Sequence, residues 1–190
     1  PFPSGRATHG GLEAVQRLMA QGLTAENAEA LTLSAPPLIH QLVIRPVTDT
    51  MNVNYARLCF PYVAAVMLRR GTVGLDDFTE AALRDPLTLA LAQRVTAVVQ
   101  DGAAPNAFTP QTLSAQTQSG ETLATTIDDL LGAPAHPLGR EMALAKARAC
   151  LQARYADGEQ RLAQLVERID ALPAIADCRD FADSLFGDPS

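Results

Sequence analysis

Hydrophobic residues near the start of the chain recur at the spacing of a helix. Leu12, Val15 and Leu18 fall on one stripe when residues 9–21 are drawn as a helix, and Thr8 is a residue type that caps helices. The pattern therefore predicts a helix over 9–21.

The pattern between residues 22 and 44 is mixed. Glu26 follows Thr24 at a position that suits the positive end of a short helix. Residues 31–44, LTLSAPPLIHQLVI, have a strand pattern that Pro36-Pro37 interrupts. We expect a strand on each side of that break, at or near the edge of a sheet.

A second helical stripe follows a loop of about nine residues. Leu58, Tyr62 and Val66 are each four residues apart, and Gly71 is a typical residue at a helix end. Pro61 must then either lie in the first turn, where the missing amide is tolerated, or kink the helix.

Two acidic residues predict further helix starts. Asp77 with Glu80 three residues later has the form of a capping box, and Asp85-Pro86 combines a capping residue with a proline suited to the first turn. The helix that opens at Asp85-Pro86 is predicted to carry Val99 on its apolar side and to stop before Gly102.

The last third of the chain changes character twice. Residues 108–128 alternate polar and apolar about Ser119-Gly120, which predicts a β-hairpin, and a proline-containing loop follows at 132–139. Three amphipathic stretches then predict helices at about 138–154, 158–171 and 177–186. The fold class is therefore α+β, a small sheet with a hairpin packed by helices, followed by an all-helical C-terminal segment.

Composition excludes several functional classes. Hydrophobic residues make up 47% of the 190 residues and charged residues 19%, which is typical of a globular chain. The 15 Lys and Arg residues against 21 Asp and Glu residues give a net charge of −6, so nucleic acid is not an expected partner. No apolar run approaches the roughly 20 residues that span a membrane, so no membrane association is expected.

The cysteines and the N-terminus bear on cellular location. Cys59, Cys150 and Cys178 are odd in number and widely spaced, which fits a reducing compartment. No secretory signal is visible, and we expect a cytoplasmic location. From the start at Pro1, followed by Phe2 and Pro3, we expect a chain that begins inside a longer protein.

The motifs for metals and cofactors are missing. His9, His40 and His136 have no second ligand at metal-binding spacing, and no nucleotide-binding or hydrolase motif occurs. We expect no metal and no cofactor.

The segment SGRATHGGLEA holds the strongest candidate chemistry. His9 would be the first helical residue, and Gly10 and Gly11 would leave backbone amides open to a ligand at the positive end of the helix. Arg6, one turn upstream, could pair with a carboxylate. The alternative is a plain helix start with a solvent-exposed histidine.

Two residues of the next helical region are weaker candidates. Tyr62 lies on an apolar row, where a tyrosine is usually a core residue whose hydroxyl binds a backbone carbonyl. Arg57 is either an anion-binding residue or a solvated or ion-paired one. Cys59 has no neighbour that would activate its thiol, and we expect it to be packed.

These motifs, taken in order, point to a known family. FPSGRATHGGLEAV, followed about fifty residues later by ARLCFPYVAAVMLRRGTVGLDDFTEAALRDP, resembles the C-terminal half of the MmgE/PrpD family. That family contains 2-methylcitrate dehydratases, cis-aconitate decarboxylases and an epimerase branch. The resemblance extends over nearly the whole chain.

The resemblance implies a division of the chain. Residues 1–133 would form the α+β lid-like domain, and residues 134–190 would return to the large helical domain of a longer protein. The catalytic cleft would lie between the two domains. His9 and Tyr62 match residues that line this cleft in the decarboxylase branch, and the other catalytic groups would belong to an N-terminal helical half.

The resemblance also implies a reaction class. Dehydration, decarboxylation and epimerisation of a small di- or tricarboxylic acid all need an anion-binding group and a general acid or base. His9 and Tyr62 would act in catalysis, and Arg6, Gly10, Gly11 and Arg57 would bind substrate. The full protein would be a cofactor-independent lyase or isomerase and a homodimer, and the chain by itself would have little activity.

Two other possibilities remain open. The chain could be a non-enzymatic module that binds a ligand or mediates oligomerisation through its α+β face. The apolar face of the helices over 138–186 could also make the chain self-associate.

Overall fold

A computed structural model describes residues 1–175, 177, 179, 181 and 182. In this part of the chain, eight α-helices accompany one four-stranded sheet. The helices are α1 (His9–Met19), α2 (Pro37–Val43), α3 (Val53–Ala56), α4 (Phe60–Arg70), α5 (Glu80–Leu83), α6 (Pro86–Ala92), α7 (Arg140–Gln152) and α8 (Gly158–Asp170). The strands are β1 (Ala28–Ala35), β2 (Val95–Val99), β3 (Gln111–Thr117) and β4 (Thr122–Ile127). The fold is α+β, as the sequence predicts.

The sheet is mixed, with the strand order β2-β1-β3-β4. β1 and β2 run parallel and place Leu31 opposite Val95. The pairs β1/β3 and β3/β4 are antiparallel. The β3–β4 hairpin turns at Ser119-Gly120, which confirms the prediction for residues 108–128.

One face of the sheet is covered by helices. α1 packs on β3 and β4, α4 packs on α1, and α4 also contacts β2. The strands point Leu31, Leu33 and Leu113 into this core, where each is fully buried. Alternate positions on the other face carry small polar residues such as Thr32 and Ser114, which are partly exposed. This alternation is the expected pattern for a sheet covered on one side.

Several helix predictions are confirmed. α1 begins at His9, and α4 has Pro61 in its first turn and ends at Gly71, which has a positive φ of 76°. α6 begins at Pro86, with Asp85 accepting hydrogen bonds from the first helical amides. These starts are encoded locally by residues with strong positional preferences.

The region 24–43 differs from its prediction. Thr24 and Asn27 bind each other's backbone amides in a turn, and no helix forms there. The strand before the proline pair is confirmed as β1, but Pro37 opens α2 instead of a second strand. A proline at the first position suits a helix because its missing amide needs no partner there.

Two further expectations are wrong in detail. The helix from Pro86 ends at Ala92, and the β-branched run from Val95 to Val99 forms β2, because it pairs in parallel with β1. Asp77 does not begin a helix with Glu80. Its carboxylate accepts the Gly74 amide, and Thr79 caps the short α5.

Internal contacts divide the chain into two compact units, Pro1–Leu138 and Gly139–Ser190. We call these unit 1 and unit 2. Unit 2 contains α7 and α8, which contact each other. The two helices confirm the predictions for 138–154 and 158–171, whereas the predicted helix at 177–186 lies largely outside the described residues. The assignment of 134–190 to a larger helical domain stays a prediction.

None of the described helices has the length and apolar content needed to cross a membrane.

Candidate active site

The segment before α1 is a single helical turn, Arg6–Thr8, that runs directly into His9. Thr8 does not cap α1, because its backbone is already helical and its hydroxyl donates to the Gly5 carbonyl at 2.8 Å. The amide of His9 donates to the Arg6 carbonyl. The helical hydrogen bonding therefore begins before His9, and the predicted open N-terminus at this residue is wrong.

The imidazole of His9 is buried, with 7% of the residue exposed. Its Nε2 lies 3.2 Å from the Ser4 carbonyl oxygen, and its ring meets that of Phe2 edge to face with centroids 5.4 Å apart. Because a carbonyl only accepts hydrogen bonds, Nε2 must carry the proton in this contact. Nδ1 is then the basic nitrogen of the neutral ring. The expected alternative of a solvent-exposed histidine is wrong.

The space beside the two glycines is filled by protein side chains. A Cβ at Gly10 would lie 2.6 Å from the amide carbon of Gln111, and one at Gly11 would lie 2.2 Å from Cε2 of Phe60. Both glycines therefore permit close packing of α1 against β3 and α4. Their role in substrate binding stays a prediction.

Arg6 lines a cavity at the start of α1. Its guanidinium is exposed and donates from Nη1 to the Leu131 carbonyl at 3.1 Å. The cavity has a volume of about 350 Å³, and its lining comprises Arg6, Phe108, Thr109, Asp129, Leu130 and Ala133. Arg6 is thus a cation at the wall of a small cavity, a position that suits binding of a carboxylate.

Arg57 is half-buried and lies close to the His9 segment through its backbone. Its carbonyl accepts the amide of Gly5 at 2.9 Å. Its guanidinium carbon lies 5.3 Å from the centroid of the Phe78 ring, and its Nε is buried without a hydrogen bond to the described residues. The guanidinium is neither fully solvated nor in an ion pair within the described part of the chain.

Tyr62 has the contacts of a core residue. It is fully buried, and its hydroxyl donates to the Asp77 carbonyl. Burial, and next the nearby Asp77 carboxylate, raise the pKa of Tyr62 to about 12. Its phenol is therefore neutral near pH 7, and its catalytic role stays a prediction.

The loop that binds Tyr62 is itself well ordered. Asp77 is buried, its Oδ2 accepts the Gly74 amide at 2.7 Å, and its Oδ1 accepts a hydrogen bond from Arg70. The Phe78 ring lies 6.3 Å from that of Tyr62. This cluster connects the start of α4 to the loop before α5.

The structure brings some predicted residues together and leaves others apart. Arg6 and His9 lie one turn apart, and Gly5 joins their segment to Arg57. Tyr62 is linked to Arg57 only through the Phe78 ring in the contacts of the described residues. Tyr62 contacts Asp77 and Phe78, whereas His9 contacts Ser4 and Phe2.

Sequence reasoning missed two buried polar residues near α1. Gln111 is fully buried over Gly10 and donates from Nε2 to the Phe108 carbonyl at 2.9 Å. Glu13 is buried one turn after His9, with Oε1 2.8 Å from Nη2 of Arg17. In the sequence, Glu13 and Gln111 look like ordinary surface residues of an amphipathic helix and strand. Only the adjacent glycines Gly10 and Gly11 indicate close packing in this region.

Cys59 is a packed thiol, which confirms that prediction. It is fully buried, and burial raises the pKa of its thiol to about 11. The thiol is therefore neutral near pH 7 and a weak nucleophile.

Fold and site together define an α+β domain with a buried histidine at the start of its first helix and an arginine-lined cavity one turn before it. The model of the MmgE/PrpD C-terminal domain matches residues 2–171, and the chain belongs to the MmgE/PrpD family. A comparison with curated proteins gave no match.

Proposed function

We propose that the chain is the C-terminal part of a cofactor-independent lyase or isomerase that acts on a small di- or tricarboxylic acid. The observation that carries the proposal is His9, a buried imidazole whose Nε2 lies 3.2 Å from the Ser4 carbonyl oxygen, one turn from Arg6. Membership of the MmgE/PrpD family supports an enzyme of this class.

His9 supplies the acid/base chemistry in this proposal. With Nε2 donating to the Ser4 carbonyl, Nδ1 accepts a proton from the carbon beside a substrate carboxylate. The resulting negative charge spreads into the carboxylate, where a guanidinium stabilises it. Loss of hydroxide then gives dehydration, and delivery of a solvent proton to the opposite face, with His9 keeping the proton that it removed, gives epimerisation. In a decarboxylation, His9 first takes up a proton from solvent at Nδ1; carbon dioxide then leaves, and Nδ1 delivers that proton to the carbanion.

Arginines provide the anion-binding groups. Arg6 presents its guanidinium at the cavity, and Arg57 is held near the same segment by the bond between its carbonyl and Gly5. Tyr62 could donate to the substrate only if its hydroxyl left the Asp77 carbonyl. His9 therefore carries the proton transfer, and Tyr62 contributes a hydrogen bond to the substrate once its hydroxyl has left Asp77.

The proposal includes a helical N-terminal partner segment, a homodimeric full protein and a cytoplasmic location. Unit 2 supports the partner segment, because Met142, Ile169 and Leu172 are about half exposed. In the proposal, the partner segment covers these side chains and removes their apolar surface from water. Sedimentation of the protein that contains this chain tests the dimer.

Turnover in the protein that contains this chain tests the catalytic assignment. Citrate and 2-methylcitrate probe dehydration, cis-aconitate probes decarboxylation, and uptake of solvent deuterium probes epimerisation. We expect His9→Ala to lower kcat/KM at least about tenfold, since general acid–base catalysis contributes roughly 10²–10⁴-fold. We expect Tyr62→Phe to lower it by about tenfold if the phenol also contacts substrate.

Tyr155→Phe is the matched control for Tyr62→Phe, because Tyr155 is an exposed tyrosine of unit 2 and is not among the candidate site residues. Its kinetics should match the unsubstituted protein. Unchanged kcat/KM in both His9→Ala and Tyr62→Phe would contradict the proposal. The 190-residue chain assayed alone should have little or no activity.

A further inference from the structure

The cavity beside Arg6 is lined by two opposite charges that do not pair with each other. Arg6 and Asp129 both form its wall, yet the ion pairs of the described residues do not include one between them. Neither charge therefore neutralises the other by contact. A ligand could therefore bind Arg6 through an anionic group and Asp129 through a hydrogen-bond donor.

The cationic wall is held in place. Nη1 of Arg6 donates to the Leu131 carbonyl, and a Cβ at Gly132 would lie 3.7 Å from the same nitrogen. The other guanidinium nitrogens make no hydrogen bond within the described ranges, so they can bind a carboxylate. A planar guanidinium suits a carboxylate because two parallel hydrogen bonds can form.

The anionic wall belongs to a loop that is ordered by its own hydrogen bonds. The carbonyl of Asp129 accepts from Nδ1 of His136 at 3.2 Å, and the Gly132 amide donates to the His136 carbonyl at 2.7 Å. Asp129 lines the cavity and is exposed, and the hydrogen bonds and ion pairs of the described residues include none to its carboxylate, which is therefore available as an acceptor. An ionised carboxylate repels a second carboxylate but binds a hydroxyl group.

The remaining walls suit the carbon skeleton of a small acid. Leu130 is buried, while Phe108 is 37% exposed and Ala133 is partly exposed. The volume of about 350 Å³ lies at the lower end of the range for small-molecule sites. Thr109 adds a second polar group beside the apolar surface.

We propose that this cavity is a subsite for a hydroxy acid, in which Arg6 binds a carboxylate and Asp129 accepts a hydrogen bond from the hydroxyl. The choice of an acid rests on the proposed function, and the hydroxyl preference is new to this inference. The cavity thus favours hydroxylated acids over analogues that lack the hydroxyl, because only the hydroxyl satisfies Asp129.

Citrate and tricarballylate test the preference, because they differ only in the hydroxyl. Binding of each to the 190-residue chain is measured by calorimetry at pH 7. We expect citrate to bind about tenfold more tightly, the effect of one hydrogen bond to a charged group. Asp129→Asn should reduce the preference to about twofold. The control Asp128→Asn, which alters an adjacent exposed carboxylate outside the cavity lining, should retain it.

Arg6→Gln tests the cationic wall. This substitution should lower the affinity for both acids by about tenfold. Arg84→Gln is the control, because Arg84 is exposed and donates to the Glu80 carbonyl; it should leave both affinities unchanged. Circular dichroism checks that each variant is folded.

The outcomes separate this inference from the proposed function. Equal affinities for the two acids, both weakened by Arg6→Gln, would overturn the hydroxyl assignment and leave carboxylate binding intact. Failure of both acids to bind would overturn the subsite. The proposed function is decided separately, by the effect of His9→Ala on turnover.

Discussion

Unit 1 and unit 2 bury their side chains to very different extents. In unit 1, helices α1 and α4 and the covered face of the sheet form one core in which Leu12, Phe60 and Leu113 are fully buried. In the described part of unit 2, Leu162 is the one large apolar side chain that is buried, and ion pairs such as Arg148 with Glu159 join α7 to α8. Unit 1 has the burial that stabilises a domain, whereas unit 2 is a helical hairpin with a small interface.

The difference bears on where function can reside. A preorganised site needs side chains fixed by packing, and unit 1 provides that at His9 through Phe2 and Ser4. Exposed apolar side chains occur in both units, among them Leu87 at 65% in unit 1 and Ile169 at 50% in unit 2, so the units differ in their buried cores and not in their exposed apolar residues. Four predictions, ordered from the largest expected effect, test this contrast.

Gly11→Ala should destabilise unit 1 by about 2–3 kcal/mol. The new methyl group would overlap the buried ring of Phe60, and this overpacking exceeds the gain in helix propensity. Urea denaturation followed by circular dichroism measures the loss. Gly139→Ala is the control, because its Cβ would meet no atom within 4 Å and Gly139, the N-cap of α7, belongs to unit 2; the stability of unit 1 should therefore change by less than about 0.5 kcal/mol. Equal effects of the two substitutions would contradict the packing described at Gly11.

Leu162→Ala should destabilise the hairpin of unit 2 by about 2 kcal/mol, since it removes the central buried side chain. Amide hydrogen exchange should become faster in α7 and α8 and stay unchanged in α1 and α4. Leu172→Ala, at a side chain 48% exposed, is the control and should have little effect. Faster exchange throughout unit 1 would show that the two units share stability.

Tyr62→Phe should destabilise unit 1 by about 1–2 kcal/mol, because it leaves the buried Asp77 carbonyl without its donor. The pKa of Tyr62 is raised to about 12, so its contribution is complete below pH 10 and is lost as pH rises towards 12. Absorbance of tyrosinate should show a component that titrates near pH 12 and disappears in Tyr62→Phe. In the control Tyr155→Phe, at an exposed tyrosine, that component should persist.

Acid should weaken unit 2 by the smallest of the four effects. Hydrogen bonds from Arg148 lower the pKa of Glu159, and those from Arg161 lower the pKa of Asp157. A carboxylate whose pKa is lowered by folding stabilises the folded state at pH values above its usual pKa. This stabilisation is lost as the pH falls through the pKa of the folded state. The helical signal of α7 and α8 should therefore decline below about pH 4.5. Glu159→Gln should reduce this dependence, and 1 M salt should weaken it by screening.

Much of the fold could be predicted from local residue preferences. The starts of α4 and α6 follow from Pro61 and from Asp85 with Pro86, and the hairpin follows from alternation about Ser119-Gly120. The candidate site was less predictable. The sequence predicted His9 and Arg6 as site residues. It did not predict that Gln111 packs against Gly10 or that Asp129 lines the same cavity as Arg6. Those two residues lie about 100 positions away, where no local pattern links them to α1.

The sequence alone determined the α+β class, the helical C-terminal segment and the resemblance to the MmgE/PrpD family, because periodicity, capping residues and motif order act over short stretches. Tertiary structure decided what local signals left ambiguous. The run from Val95 to Val99 became a strand because β1 offers it backbone partners. Gly10 and Gly11 accommodate Gln111 and Phe60, and the Tyr62 hydroxyl binds Asp77, because packing brings distant residues into contact that their spacing does not reveal.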